Sequence, residues 1–328
     1  METTEETMME TTVRTLDVPG ATLHYEVRGS GPVLLLICGG IYDAAGYDAL
    51  AGRLADRYTV VTYDRRGNSR SPLDGPPELQ RVDVHTDDAS RLLAEVADGP
   101  AFVFGNSSGA QIGLDLAARY PERVRALVAH EPPLLKLLDA GHWESVLTEV
   151  EEAFRDGGVG PAMGVFGAAM GMSGGEDEHN GEGAHGGEGE HNGEGAHGGE
   201  GEHNGEGAHG GEGEHGGEGE HGGEAGGEPT PEMLEMFARF ERNTGFFVGY
   251  EVPSFGRWTP DLDALRDSSA RIVLVAGEKS EGEPPARATR ALAERLGVEA
   301  ETYPGDHGGF GAEAEAFATR LDEVFSAS

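Results

Sequence analysis

The 328-residue chain carries a formal net charge of −36 and a single cysteine, Cys38. That charge repels phosphate backbones and anionic lipid, which argues against nucleic acid and membrane surfaces as partners. A lone cysteine excludes an internal disulfide framework and any multi-cysteine metal site.

The N-terminus METTEETMMETT has no basic start and no apolar run. It reads as a disordered tail over 1–12 and not as a signal peptide. No window approaches the ~18 apolar residues of a membrane span, so the expectation is a soluble, cytoplasmic protein. Segments 13–18 and 21–27 read as two short strands split by the turn at Pro19 and Gly20. PVLLLICGG, 32–40, is a continuous apolar run closed by glycines, which suits a strand buried on both faces. GYDALAGRLADRY then spaces Tyr47, Leu50, Leu54 and Tyr58 as on a helix, and TVVTYD is a further buried strand. DDASRLLAEVA is helical, AFVFG a strand, SGAQIGLDLAARYPERV a helix stopped before Pro121, and VRALVAHEPP a strand.

From 132 to 263 this rhythm breaks. HWESVLTEVEEAFRD and PEMLEMFARFERNTGFFVGYEV are both helical in pattern, and a low-complexity tract separates them. The alternation resumes with the strand RIVLVAG, the helix PARATRALAERLG, the strand EAETYPG and the amphipathic helix EAEAFATRLDEVF. Strands alternating with helices predict an α/β fold: a mostly parallel central sheet flanked by helices, built from 13–131 and 264–328. The interval 132–263 is then a helical cap over one sheet edge, carrying Trp143, Phe154, Met233, Met236, Phe237, Phe240, Phe246 and Phe247. Most of these are expected to pack the cap onto the sheet domain and a few to face an apolar pocket.

Within the cap, residues 173–228 are Gly, Glu, His and Asn almost throughout and hold 16 of the acidic residues with no Lys or Arg. HNGEGAHGGEGE occurs three times in tandem over 179–214, so histidines recur every six residues: His179, His185, His191, His197, His203, His209, His215 and His221. With no apolar residue larger than Ala, the tract cannot offset the entropy of ordering and reads as a disordered, solvated linker. The alternative is weak chelation of zinc, nickel or copper by those histidines. About 270 residues remain without it, a usual size for one α/β domain.

The chemistry centres on GNSSG, 105–109, where the strand AFVFG runs into a helix. In a G-x-S-x-G register a sharp strand-to-helix turn strains the serine backbone, and the residues two before and two after it must be small. Ser107 has glycine at both positions, whereas Ser108 has Asn106 and Ala110. Ser107 is therefore the candidate nucleophile, and Ser108 supplies a main-chain N–H at the helix start where it can stabilise an oxyanion.

On these residues the chain resembles the α/β-hydrolase family, over nearly everything except the N-terminal tail and the Gly/Glu/His tract. LLLICGG stands where the family carries its oxyanion loop, with Cys38 in place of the usual histidine. YDRRGNSRS is similar to the family's Asp-x-Arg-Gly segment, GNSSG to the nucleophile elbow, and PGDHGGF to the loop that presents the catalytic histidine. The resemblance implies that His307 is the general base and that the second oxyanion donor is the amide of Gly40, or else of Ile41. It implies no cofactor. Asp64 and Arg66 would brace loops near the site, Cys38 would be a small buried residue, and His24, His85, His130 and His142 carry no assigned role.

The triad acid departs from the pattern. The family commonly places an aspartate three residues after the glycine that ends the strand following the cap, and here that position is Ser280. Glu131 in AHEPP, a position some branches use, is preferred to Glu278 in GEKS, ahead of Asp306, Glu281, Glu283 or no acid at all. The implied reaction is hydrolysis of a carboxylic ester or related acyl bond (thioester, lactone or amide) in a small apolar acyl substrate. Branches with an aspartate nucleophile are set aside by Ser107. The alternatives are a cofactor-free peroxidase or perhydrolase, a carbon–carbon hydrolase, or a hydrolase-like fold that only binds.

Overall fold

Along the third strand, Leu35 and Ile37 pack into one hydrophobic cluster and Leu34 and Leu36 into another. Successive side chains of a strand point to opposite faces, so an unbroken apolar run puts core on both sides of a sheet. The computed structural model describes residues 11–171 and 230–328, without the side chains of 231 and 232. The expected tail lies outside the described residues except at its last two positions, and the repeat over 173–228 with its eight histidines lies outside them entirely.

The chain opens with the antiparallel pair β1 (Thr12–Val18) and β2 (Ala21–Arg28), followed by β3 (Val33–Ile37), α1 (Asp48–Leu54) and β4 (Thr59–Tyr63). Next come α2 (Val82–Val96), β5 (Ala101–Asn106), α3 (Ser108–Arg119) and β6 (Val124–His130). The cap helices α4 (Lys136–Gly157), α5 (Val159–Ala169), α6 (Pro231–Phe246) and α7 (Val252–Phe255) precede α8 (Leu262–Asp267) and β7 (Arg271–Gly277). The chain closes with α9 (Pro284–Leu296), β8 (Glu301–Tyr303), α10 (Gly309–Ala312) and α11 (Ala314–Ser326).

The eight strands form one sheet in the order β1-β2-β4-β3-β5-β6-β7-β8, antiparallel at β1/β2 and β2/β4 and parallel elsewhere. Leu35, Val61, Val103 and Leu127 lie in the core of one face, and Leu36, Val60, Phe104 and Val128 in that of the other. Burying each such side chain stabilises the fold by roughly 2 kcal/mol. Among the described residues no helix is long and apolar enough to cross a membrane.

Some elements depart from the sequence pattern. The helix expected over 46–58 is shorter, because Asp43 caps a tighter 3₁₀ turn over Ala44–Tyr47 and leaves Tyr47 outside α1. The single helix read through PEMLEMFARFERNTGFFVGYEV is three pieces: α6, a π-helical turn at Phe247–Glu251, and α7 with Pro253 in its first turn. Proline lacks the N–H an interior helical position needs, so it starts a helix more readily than it continues one. Of the apolar residues expected to pack the cap or face a pocket, Met236, Phe237 and Phe240 are about half exposed (46–54 %) and line a cavity with Ile41 and Tyr42.

Candidate active site

Ser107 stands between the end of β5 and the start of α3 with φ 54° and ψ −124°, outside the regions open to most L residues. Holding a residue there costs on the order of 1–3 kcal/mol, which the surrounding packing offsets. The flanking glycines make the turn sterically feasible: a Cβ on Gly105 would lie 2.4 Å from Gly109 O, and one on Gly109 would lie 2.1 Å from Ile37 O. The adjoining loop is pressed as closely, since a Cβ on Gly39 would meet Asn106 O at 2.4 Å and Ser107 Cβ at 2.6 Å.

The sheet then brings distant residues together. The Ser107 N–H donates to His130 O, the last residue of β6, at 2.9 Å. Glu131, the next residue, also has a positive φ of 50° and is anchored by its own N–H on Val275 O. Its carboxylate is completely buried. Oε1 accepts from Gly277 N at 2.8 Å, and Oε2 lies 2.6 Å from His307 Nδ1. On the elbow side, Asn106 Nδ2 donates to His307 O at 3.1 Å. Ser107 and His307 are thus tied through Asn106, next to the serine, and through His130 and Glu131. Neither the Ser107 hydroxyl nor His307 Nε2 makes a hydrogen bond to another described residue.

Burial by itself would raise the Glu131 carboxyl. The hydrogen bond with His307, the two nearby imidazoles and the Gly277 amide outweigh it and hold the group below the ordinary carboxylate range. Glu131 is therefore ionised at neutral pH, and its short contact fixes Nδ1 of His307 as the protonated nitrogen. Of the two carboxylates weighed from sequence, Glu131 meets the histidine. Glu278 points to solvent, with only its main chain engaged on Tyr303 O. Asp306 uses its carboxylate on Gly308 N, Glu281 and Glu283 are exposed, and Ser280, where an acid is usual, is buried.

In the loop after β3, Gly40 has φ 51° and its N–H donates to Ser108 Oγ at 2.9 Å. The Ser108 main-chain N–H lies in the first turn of α3, where no preceding helical carbonyl is available to it. Cys38 is buried with Sγ on Asp43 O, and burial pushes its thiol well above the ordinary value, so it is held as an inert thiol.

Sequence reasoning missed three neighbours. Asp64 does brace the loop, accepting from Ala44 N and Arg70, but Arg66 turns away and pairs with Asp88 on α2. It is Arg65, completely buried, that reaches the site: Nη2 donates to Gly40 O at 2.7 Å and Nη1 to Glu251 of the π-helical turn at 2.8 Å. An internal Arg in an Arg–Arg pair gives no sequence signal for which one points inward. His130, given no role from sequence, stacks on His307 with ring centroids 6.1 Å apart and accepts from Asn106 Nδ2. Gln111 lines the same cavity as Ser107. Among the described residues no cluster of His, Cys, Asp and Glu is placed to hold a metal ion.

His130 carries a testable consequence. Burial, reinforced by the charge of His307 and opposed by Glu131, lowers it to about 3. Below pH ~6.5 the unfolded chain binds a proton that the folded chain refuses until pH ~3, so stability present above that window is lost as pH falls through it. Each such histidine contributes a slope of about 1.4 kcal/mol per pH unit. Buried His85, also pushed well below the ordinary value, acts in the same direction. Urea unfolding should show stability dropping by about 2 kcal/mol or more between pH 6.5 and 5. His130→Gln should lose part of that slope, and an unchanged slope would refute the assignment.

Comparison with known proteins follows the same lines. The family profile described as the alpha/beta hydrolase fold matches residues 32–160. The chain is 34% identical over 314 residues to the uncharacterized hydrolase YraK of Bacillus subtilis, covering 94% of each. The chain belongs to the α/β-hydrolase fold family. A 2-(acetamidomethylene)succinate hydrolase of Mesorhizobium japonicum is 35% identical over 116 residues, 35% of this chain and 41% of that one. The solved structure of a thermophilic esterase from Thermogutta terrifontis superimposes with a TM-score of 0.62 at 15% identity, over 98% of both chains, a likeness of fold.

Proposed function

We propose that the protein is a serine hydrolase that cleaves a carboxylic ester or related acyl bond through an acyl-enzyme on Ser107. The observation that carries this reading is the strained Ser107 turn tied, through His130 O and Asn106, to the 2.6 Å Glu131–His307 pair. His307 Nε2 takes the Ser107 proton as Oγ attacks the substrate carbonyl, and returns it to the leaving group. Glu131 holds the imidazole in the tautomer that leaves Nε2 basic and stabilises the imidazolium that forms. The oxyanion meets the amides of Ser108 and Gly40, the latter released when the Ser108 hydroxyl turns away from it. Water then hydrolyses the acyl-enzyme by the same proton path in reverse, and no step calls for a cofactor.

The cavity at Ser107 has a volume of about 40 Å³ and an apolar lining that includes Leu135, Leu147, Phe166, Phe247 and Phe255. That is room for only a few water molecules, which favours a small acyl or alcohol group. A second cavity of about 390 Å³ lies beside the Gly40 loop, between Ile41, Tyr42, Phe237 and Phe240.

A fluorophosphonate probe followed by peptide mapping tests the reading. One adduct on Ser107 is expected, absent in Ser107→Ala and retained in Ser108→Ala, which keeps the main-chain donor. A folded protein that takes no adduct at Ser107 would instead be a binding module on a hydrolase fold.

A further inference from the structure

We propose that Asn243, on cap helix α6, is a positioning residue for the oxyanion loop: it aims the Gly40 amide through a relay of two peptide planes. This rests on the acyl-enzyme reading and adds a residue of the cap to its machinery.

Asn243 is buried between two loops of the sheet domain. Its Nδ2 donates to Ile41 O at 3.0 Å and to Ser69 Oγ at 2.9 Å, and its Oδ1 accepts from Ser69 N at 2.8 Å. A carbonyl facing one end and an N–H facing the other settle which end of the amide is which. The following turn of chain is seated on the same loops. A Cβ on Gly67 would lie 2.1 Å from the Phe246 ring, and one on Gly40 would lie 3.9 Å from the Phe247 ring.

Ile41 O shares its peptide plane with Tyr42 N–H, which donates to Gly39 O at 3.2 Å. Gly39 O in turn shares its plane with Gly40 N–H, which points at the start of α3 and donates to Ser108 Oγ at 2.9 Å. A trans peptide unit is planar, with its C=O and N–H directed oppositely, so holding the oxygen aims the hydrogen. Asn243 therefore aims the Tyr42 N–H, and the Tyr42 N–H aims that of Gly40. The peptide between Gly39 and Gly40 needs such a hold, because glycine on both sides restrains it weakly and Gly40 has φ 51°. Arg65 does not supply it: the Gly40 carbonyl it binds belongs to the next plane along. Hydrogen bonds in series also polarise one another, which makes the last N–H a stronger donor to developing negative charge.

Turnover of 4-nitrophenyl butanoate tests this, together with inhibition by an alkyl trifluoromethyl ketone, whose adduct on a serine carries an oxyanion. Asn243→Ala should lower kcat by about tenfold to a hundredfold while KM stays within about threefold. The ketone should lose affinity by a similar factor, since it engages the same donors as the transition state. Arg257→Met is the control for a weakened cap: it removes bonds to Glu144 and Glu151 on α4 and touches no residue of the relay. Its kcat should stay within about twofold of wild type. Asn243→Leu, which keeps the volume but neither hydrogen-bonding edge, serves if the alanine variant does not fold. A folded Asn243 variant with kcat within about threefold of wild type, or an equal loss in Arg257→Met, would overturn the proposal. A wild-type protein that takes no fluorophosphonate adduct on Ser107 would instead sink the acyl-enzyme reading.

Discussion

Glu131→Gln should lower kcat/KM for an ester by about a thousandfold to ten-thousandfold, with KM little changed. The two side chains have nearly the same volume, so the buried site should still pack. The main-chain N–H of Gly277 donates to Oε1, which will hold the oxygen of the new amide and turn its NH₂ towards His307. An NH₂ group can only donate. Nδ1 of His307 must then accept, its proton moves to Nε2, and the nitrogen that should receive the serine proton is blocked. The loss should appear as a drop in kcat across the neutral range, because Glu131 is held ionised there and does not itself titrate. Steady-state kinetics with urea unfolding as a control make the measurement. The exposed Glu278→Gln should be nearly silent, and a Glu131→Gln variant within tenfold of wild type would remove the residue from the mechanism.

The second large effect concerns stability. Arg65 and Glu251 form an ion pair with both side chains wholly out of solvent, and Asn68 Nδ2 adds a further donor to the same carboxylate oxygen. Removing one partner from a buried pair leaves an uncompensated charge and costs about 3–5 kcal/mol. Glu251→Ala should therefore lower Tm by roughly 10 °C in a domain of this size. Because Arg65 also holds Gly40 O, Arg65→Met should add a loss of activity through the oxyanion loop of about tenfold or more. The double change Arg65→Met with Glu251→Leu should recover much of the stability, since two apolar groups leave no buried charge, but not the activity. Scanning calorimetry and ester turnover on the same preparations separate the two effects. If Glu251→Ala melts within about 2 °C of wild type, the pair is not the cap's main tether.

The alternating strand and helix patterns, the Gly105-to-Gly109 turn and the isolated His307 between glycines were legible because each depends on local sequence. Backbone geometry at Ser107 permits only glycine two residues away on either side, so the requirement is written within five residues. The helix breaks at Tyr47 and Phe247 were not legible. An Asp43 cap in one case, and contacts of Phe247 with Phe166 on α5 and of Glu251 with Arg65 in the other, override a continuous helical pattern.

By itself, then, the chain determined the α/β layering, the strained turn at Ser107 and the glycine-flanked loop that carries His307, all features of short range along the backbone. Only the tertiary structure decided which carboxylate meets that histidine and which of Arg65 and Arg66 faces inward. The first outcome hangs on the spatial order β5-β6-β7-β8, which sets residues 107, 131, 277 and 307 side by side. Adjacency across parallel strands is fixed by packing of whole faces, so no local stretch of sequence encodes it.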